Sequence, residues 1–318
     1  MDPQPDELLS SWLHRLAIAN GIAPRPFASV LELGDGMWSP RLDLRLPREV
    51  ATLLTGRTDV PHEALSAMAM TGPALTPLLL PLRENVRRNR STWMQYCPQC
   101  LAGDEVPYFR RQWRLASRIS CFVHGCGLRD RCPACRSGIA SFDQVELVPQ
   151  HFCARCGFDL RTASKVFVKA AARWLERAIA DICRVEMAKG SKTIGELTSR
   201  LLRVPVIAGV SSGRTLTNLS TSSRIRCFEW LADKPVSWLT ADEDDAVARR
   251  RRLVLAAGGH DRLIAYFADF MDKHQASPGS ARSPPTGADL AVLLDAYPRA
   301  TDGGIRTKRH RVLAALRG

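Results

Sequence analysis

Eight cysteine and histidine side chains in the middle of this chain fall into four short knuckles of the form Cys-x-x-ligand. Cys97-Pro98-Gln99-Cys100 and Cys121-Phe122-Val123-His124 are separated by 20 residues, and Cys132-Pro133-Ala134-Cys135 and Cys153-Ala154-Arg155-Cys156 by 17. The two-residue spacing lets both side chains of one tight turn converge on a single cation, and two such turns complete a tetrahedron of soft and borderline donors. Two zinc ions are therefore expected, one per pair of knuckles. Each set supplies four protein ligands and leaves no position open for water, which is the pattern of a structural and not a hydrolytic site. Redox Cys-x-x-Cys motifs come singly at the start of a helix, so four knuckles within 60 residues argue against that chemistry. An iron–sulfur cluster is the chemical rival, since thiolates also bind iron. Sequential pairing of the knuckles closes shorter loops than interleaved pairing and is preferred. Cys126, two residues beyond His124, is the alternative fourth ligand of the first set. Cys183 and Cys227 lie in helical patterns and read as buried apolar residues. His151 reads as a surface or supporting histidine.

The elements that must position these knuckles are mainly helical. Leu8, Leu9, Trp12, Leu13 and Leu16 predict a helix from about Glu7 to Asn20, ended by Gly21 in a left-handed conformation. Pro47 to Leu54 and Pro61 to Met70 predict two short helices around a turn at Gly56 to Val60, a pattern that suits either a helix-turn-helix or ordinary helical packing. Residues 91–165 have the composition of a metal-stapled unit with small β content, zinc-ribbon-like in character. Helical periodicity returns at Val168, Ala171, Ala172, Leu175, Ile179 and Ile182. A capping box at Thr193 and Glu196 opens a helix to Leu202. Ser211 to Ser223 reads as a loop, followed by helices at Arg224 to Leu231, Ala241 to Ala257 and Asp261 to His274. The fold class expected is mainly α. Its parts are a helical module over 1–90, tandem zinc-binding knuckles over 91–165, a helical domain over 166–276, a linker over 277–287, and a basic tail over 288–318 with short helices at Asp289 to Ala296 and Ile305 to Leu316.

The 318 residues carry 45 Lys and Arg against 32 Asp and Glu, a net charge of +13. Residues 1–96 are neutral, 97–168 carry +4 and 169–318 carry +9. The excess thus lies beside and after the cysteines, where it would draw phosphates. Arg110, Arg111, Arg114 and Arg118, interleaved with Tyr108, Phe109 and Trp113, are candidate nucleic-acid contacts, the aromatics filling the core. Arg306, Lys308, Arg309 and Arg311 form a second candidate set. Arg249 to Arg252 follow Asp242 to Asp245 closely enough to be neutralised on one helix face. Apolar runs are broken by Pro81 and Arg83 before they reach a membrane-spanning length. The acidic, polar start MDPQPDELLSSW is unlike a secretory leader, so a cytoplasmic, nucleoid-associated location is expected. There is no phosphate-binding glycine loop, nucleophile elbow or His-Glu-x-x-His helix, and closed metal sites argue against a zinc-dependent nuclease.

The run YCPQCLAGDEVPYFRRQWRLASRISCFVHGCGLRDRCPAC, with PDELLSSWLHRLAIANGI before it and CARCGFDL after it, resembles the TniQ family of bacterial transposition proteins, relatives of TnsD. The resemblance covers roughly residues 5–165. It implies an N-terminal helical module with helix-turn-helix character and metal ligands at Cys97, Cys100, Cys121, His124, Cys132, Cys135, Cys153 and Cys156. It further implies a non-catalytic role in target-site selection, with DNA or a DNA-bound target-recognition complex, an AAA+ ATPase regulator and, indirectly, a separate DDE transposase as partners. A homodimer is also compatible with it. A zinc-containing sequence-specific transcription regulator is the alternative that uses the same parts.

Overall fold

A computed structural model of the chain describes residues 1–31, 40–70, 76–80, 94–139, 145–188, 194–233 and 245–274. The chain divides into two compact units: residues 1–169 with 201–227, and residues 170–200 with 228–318. The expected linker and tail, with Arg306, Lys308, Arg309 and Arg311, lie outside the described residues.

In the first unit α1 spans Leu9–Ala19. It starts two residues later than the periodicity suggests, because Asp6 has φ 56 and Leu8 is extended. Glu7 is thereby freed from the helix and turns its buried carboxylate onto Arg15 at 2.7 Å. The helix ends as expected at Gly21, φ 68. There the Gly21 amide donates to Ile18 and the Ile22 amide to Ala17, the paired bonds that satisfy terminal carbonyls around a left-handed residue. Its apolar stripe, Leu9, Trp12, Leu13, Leu16 and Ala17, is buried in one core with Phe27 and Ala28 of α2 (Pro24–Val30), Leu54 of α3 (Arg48–Thr58) and Leu65 and Met68 of α4 (His62–Met68). α3 runs through the expected turn at Gly56. The left-handed stop falls at Asp59, φ 56, leaving a three-residue connection to α4.

Beyond α5 (Pro98–Gly103), the knuckle region is held by isolated antiparallel bridges, among them Tyr96 with Arg129, Gly127 with Val166, and Arg131 with Gly138. At Gly127 a Cβ would come within 2.9 Å of Val166 Cγ1 and Val168 Cγ2, so only glycine admits that crossing. Residues 201–227 complete the unit. α7 (Ile194–Ile207) continues past Pro205, beyond the expected end at Leu202. Leu216–Asn218 form a 3-10 turn inside the expected loop, and α8 (Thr221–Leu231) begins three residues before the expected Arg224. The Ser220 hydroxyl accepts the Ser223 amide and so opens that helix early.

In the second unit α6 (Ala170–Ala188) buries Ala172, Leu175, Ile179, Ile182 and Cys183. α9 (Asp245–Ala257) and α10 (His260–His274) pack on it and on each other. The Arg184 guanidinium lies 3.5 Å from both Asp181 and Asp261. Arg251 is buried, while Arg252 is exposed and donates to the Ala248 carbonyl. Cys183 and Cys227 are both buried, as core thiols would be. Among the described residues no helix is long and apolar enough to cross a membrane.

Candidate metal centres

Two donor sets form, and their pairing is sequential: Cys97, Cys100, Cys121 and His124 in one, Cys132, Cys135, Cys153 and Cys156 in the other, all donor atoms within 4.8 Å inside each set. In the first, Cys100 Sγ lies 3.5 Å from Cys121 Sγ. His124 points Nδ1 at Cys97, Cys100 and Cys121 from 3.6, 3.3 and 3.5 Å. In the second, Cys132 to Cys156 and Cys135 to Cys153 are 3.7 and 3.6 Å. A tetrahedron with metal–sulfur bonds of about 2.3 Å has sulfur–sulfur edges of about 3.8 Å, and slightly shorter edges to nitrogen. Both sets therefore fit one four-coordinate divalent ion each.

Three of the four knuckles share one backbone design. The amide four residues after the first cysteine returns to that cysteine's carbonyl: Gly125 to Cys121 at 2.8 Å, Arg136 to Cys132 at 3.0 Å, and Gly157 to Cys153 at 2.9 Å. These residues are left-handed, with φ 65, 62 and 71. The first cysteine's own amide then donates to the carbonyl five residues on: Cys126 at 2.8 Å, Ser137 at 2.9 Å and Phe158 at 2.9 Å. Cys97–Cys100 makes the first of these bonds, Leu101 to Cys97 at 3.1 Å, but as a turn of α5, which Pro98 begins, without the left-handed residue.

That equivalence defines Cys126. It occupies the same knuckle position as Ser137, whose hydroxyl lies 3.0 Å from Cys135 Sγ and 3.3 Å from Cys153 Sγ. Cys126 Sγ likewise lies 3.6 Å from Cys97 Sγ and outside the four-donor set. Both residues lie close enough to donor sulfurs to support them. Ser137 was not evident from motif spacing, although its position five residues after Cys132 matches that of Cys126 after Cys121.

The thiols perturb one another strongly. Hydrogen bonds from Cys100 and Cys121 pull Cys97 down to about 6, while bonds to Cys121 and Cys97, with burial, push Cys100 up. Burial raises Cys132 to about 12; it also opposes ionisation of Cys135, but the Ser137 hydroxyl and amide overcome it and bring that thiol to about 6. A group of donors that cannot all ionise together is what a divalent cation resolves. The environments differ: Cys97, Cys100 and Cys121 are buried, whereas Cys135 is half-buried and Cys156 exposed. His151 belongs to neither set. It is buried beside Phe152, ring centroids 4.4 Å apart, and burial lowers its pKa.

The arginines expected to meet nucleic acid are largely committed elsewhere. Arg110 grips Asp104 with two bonds of 2.7 and 3.1 Å and lies over the Tyr108 and Trp113 rings. Arg111 pairs with Asp6 at 3.1 Å and donates to the Ala67 carbonyl. Arg118 covers the Phe122 ring, 3.4 Å from its centroid. Arg114 is fully buried against Asp43 and the Leu80 carbonyl; this corrects its expected role, because a side chain with no exposed surface cannot reach a phosphate. Phe109 and Trp113 are buried edge to face, as the core reading required.

No curated protein matches the chain significantly. The TniQ family model matches residues 1–128, which hold the α1–α4 core and the whole first donor set, while the second set and α6–α10 lie beyond the match. Over residues 1–128, less than half of its length, the chain is thus similar to the TniQ family.

Proposed function

We propose that this chain is a non-catalytic accessory factor in transposition that helps select the target site. In this reading it binds DNA, or a complex already seated on DNA, and links it to an AAA+ ATPase regulator, which recruits a separate DDE transposase. The observation that carries the reading is the TniQ domain enclosing a complete four-donor set. The short α3–α4 pair would serve as the helix-turn-helix, although its α3 is longer than the sequence suggests.

Zinc is the proposed ion at both centres. Three thiolates with an imidazole, and four thiolates, are the donors it takes in structural sites, and the edges measured above suit its bond lengths. When bound, it would crosslink chain segments joined to one another by isolated bridges, leaving no coordination position for water. Cys97, Cys100, Cys121 and His124 would hold one ion, and Cys132, Cys135, Cys153 and Cys156 the other.

The test is a transposition assay in cells with and without this chain, with insertion sites mapped. A changed insertion frequency or target distribution is expected. Identical frequency and distribution would overturn the reading, and altered expression of a bound promoter in that case would favour a transcription regulator. Elemental analysis of purified protein checks the metal: sulfur-bound iron, or an absence of zinc, would overturn the zinc assignment.

A further inference from the structure

Among the described residues the backbone is left-handed at three non-glycine positions, Asp6, Asp59 and Arg136. Aspartate is one of the residue types that tolerate this conformation, because its short polar side chain bonds locally; arginine has no such compensation. The two sister knuckles show what the turn itself prefers. Gly125 and Gly157 occupy the position, make the same amide bond to the first cysteine, and carry no Cβ to be strained. The second centre thus retains an arginine where its own architecture favours glycine. A strained residue kept by a well-determined frame is a pointer to what its side chain does.

The surroundings say what that is. Arg136 is exposed, and so is Arg155, which stands between Cys153 and Cys156 on the other knuckle of the same centre. Among the described residues neither has a carboxylate within ion-pair distance. The arginines of the Trp113 segment differ: Arg110, Arg111 and Arg114 are spent on Asp104, Asp6 and Asp43. Arg131 braces the turn by donating to the Arg136 carbonyl at 3.2 Å. Because the four sulfurs of the centre lie within 4.8 Å, the two knuckles present their arginines from adjoining turns.

We propose that Arg136 and Arg155 form a fork that grips the phosphate backbone of duplex DNA, with the second metal centre as its rigid base. Guanidinium groups pair with phosphate oxygens in two-bond geometry, and such contacts position a protein on DNA without reading sequence. The inference rests on the proposed DNA-binding role and names the surface that performs it.

The test is the affinity of the full chain, loaded with zinc, for a short random-sequence DNA duplex, followed by fluorescence anisotropy over a series of salt concentrations. R136G removes the side chain and the strain together, so its melting temperature and zinc content should equal or exceed those of the parent. Its affinity should nonetheless fall roughly three- to tenfold, with a salt-dependence slope smaller by about 1; adding R155A should lower the slope by about 2 in all. R136K, equally strained but still cationic, should keep most of the slope. Unchanged DNA affinity in R136G would overturn the fork while leaving the proposed function standing, as would a loss of zinc from R136G with affinity preserved. If the parent chain binds no DNA, direct DNA binding falls and the fork falls with it.

Discussion

Arg114 Nη1 donates to Asp43 Oδ2 at 3.1 Å, and neither side chain has any exposed surface. The same carboxylate accepts the Ser10 amide and hydroxyl at 2.8 and 2.9 Å, so one acid ties the start of α1 to the Trp113 segment. Burial raises the Asp43 pKa above the usual carboxylate range, against the pull of Arg114 and Ser10. R114A should therefore lose about 3–5 kcal/mol of stability at neutral pH, since it leaves a buried charge without its partner. The sign of its pH dependence follows. A folded-state pKa raised above the unfolded one means that the proton stabilises the fold at low pH, and that this contribution is lost as pH rises. The variant, with a still higher Asp43 pKa, should close its gap to the parent as pH falls toward about 4. Urea unfolding across that range checks it, and a gap constant with pH would refute the assignment.

The two centres should release metal at different rates. Cys156 is exposed and Cys135 half-buried, whereas the three thiols of the first centre are buried. A chromogenic chelator should take one ion quickly, from the second centre, and the other slowly. C156S should abolish the fast phase and leave the slow one. A single phase of two equivalents would show that exposure does not govern release here.

Ser137 should matter to a metal that it does not touch. Its hydroxyl stands near both Cys135 and Cys153, and removing a group that supports ligand sulfurs typically costs 10–100-fold in metal affinity. S137A should weaken the second centre by that factor and leave the first unchanged, as competition with a zinc buffer would report. C126A should do the same to the first centre alone. If C126A instead empties the first centre while H124A leaves it full, Cys126 is the ligand.

The knuckles were legible because their ligands are local: two residues apart on one turn, they need no knowledge of the rest of the chain. The apolar stripe of α1 was legible for the same reason. Arginine roles were not, because charge along a chain does not reveal a distant counter-charge; Asp43 lies 71 residues before Arg114, and Asp6 lies 105 before Arg111. The start of α8 was hidden in a Ser/Thr-rich stretch whose composition suits a loop. What makes it helical includes Ser220 nearby and Asp130, 91 residues away from Thr221. Arg136 shows the intermediate case: its backbone conformation becomes readable once Cys132–Arg136 is aligned with the two glycine-ended knuckles.

The last prediction concerns that distant anchoring. Gln95 Nε2 donates to the carbonyls of Trp113, Leu115 and Arg118 at 3.0–3.2 Å, and its Oε1 accepts from Thr221 and Arg224 at 2.8 and 2.9 Å. The Thr221 amide donates to Asp130, which precedes the Arg131–Gly138 bridge around the second centre. Arg224 is fully buried and its pKa is lowered to about 10, chiefly by desolvation and against the attraction of Asp130. Q95L would strip that buried cation of one acceptor and cost about 1.5–3 kcal/mol, the range for a hydrogen bond to a charged group. Hydrogen exchange should accordingly show amides 221–227 losing protection in Q95L with both metals bound. The parent chain should show the same loss when only the second centre is emptied, because the turn that aims Asp130 depends on it. Protection of 221–227 that survives both treatments would mean that the segment is held by burial of Ile225 and Cys227 and not by this network.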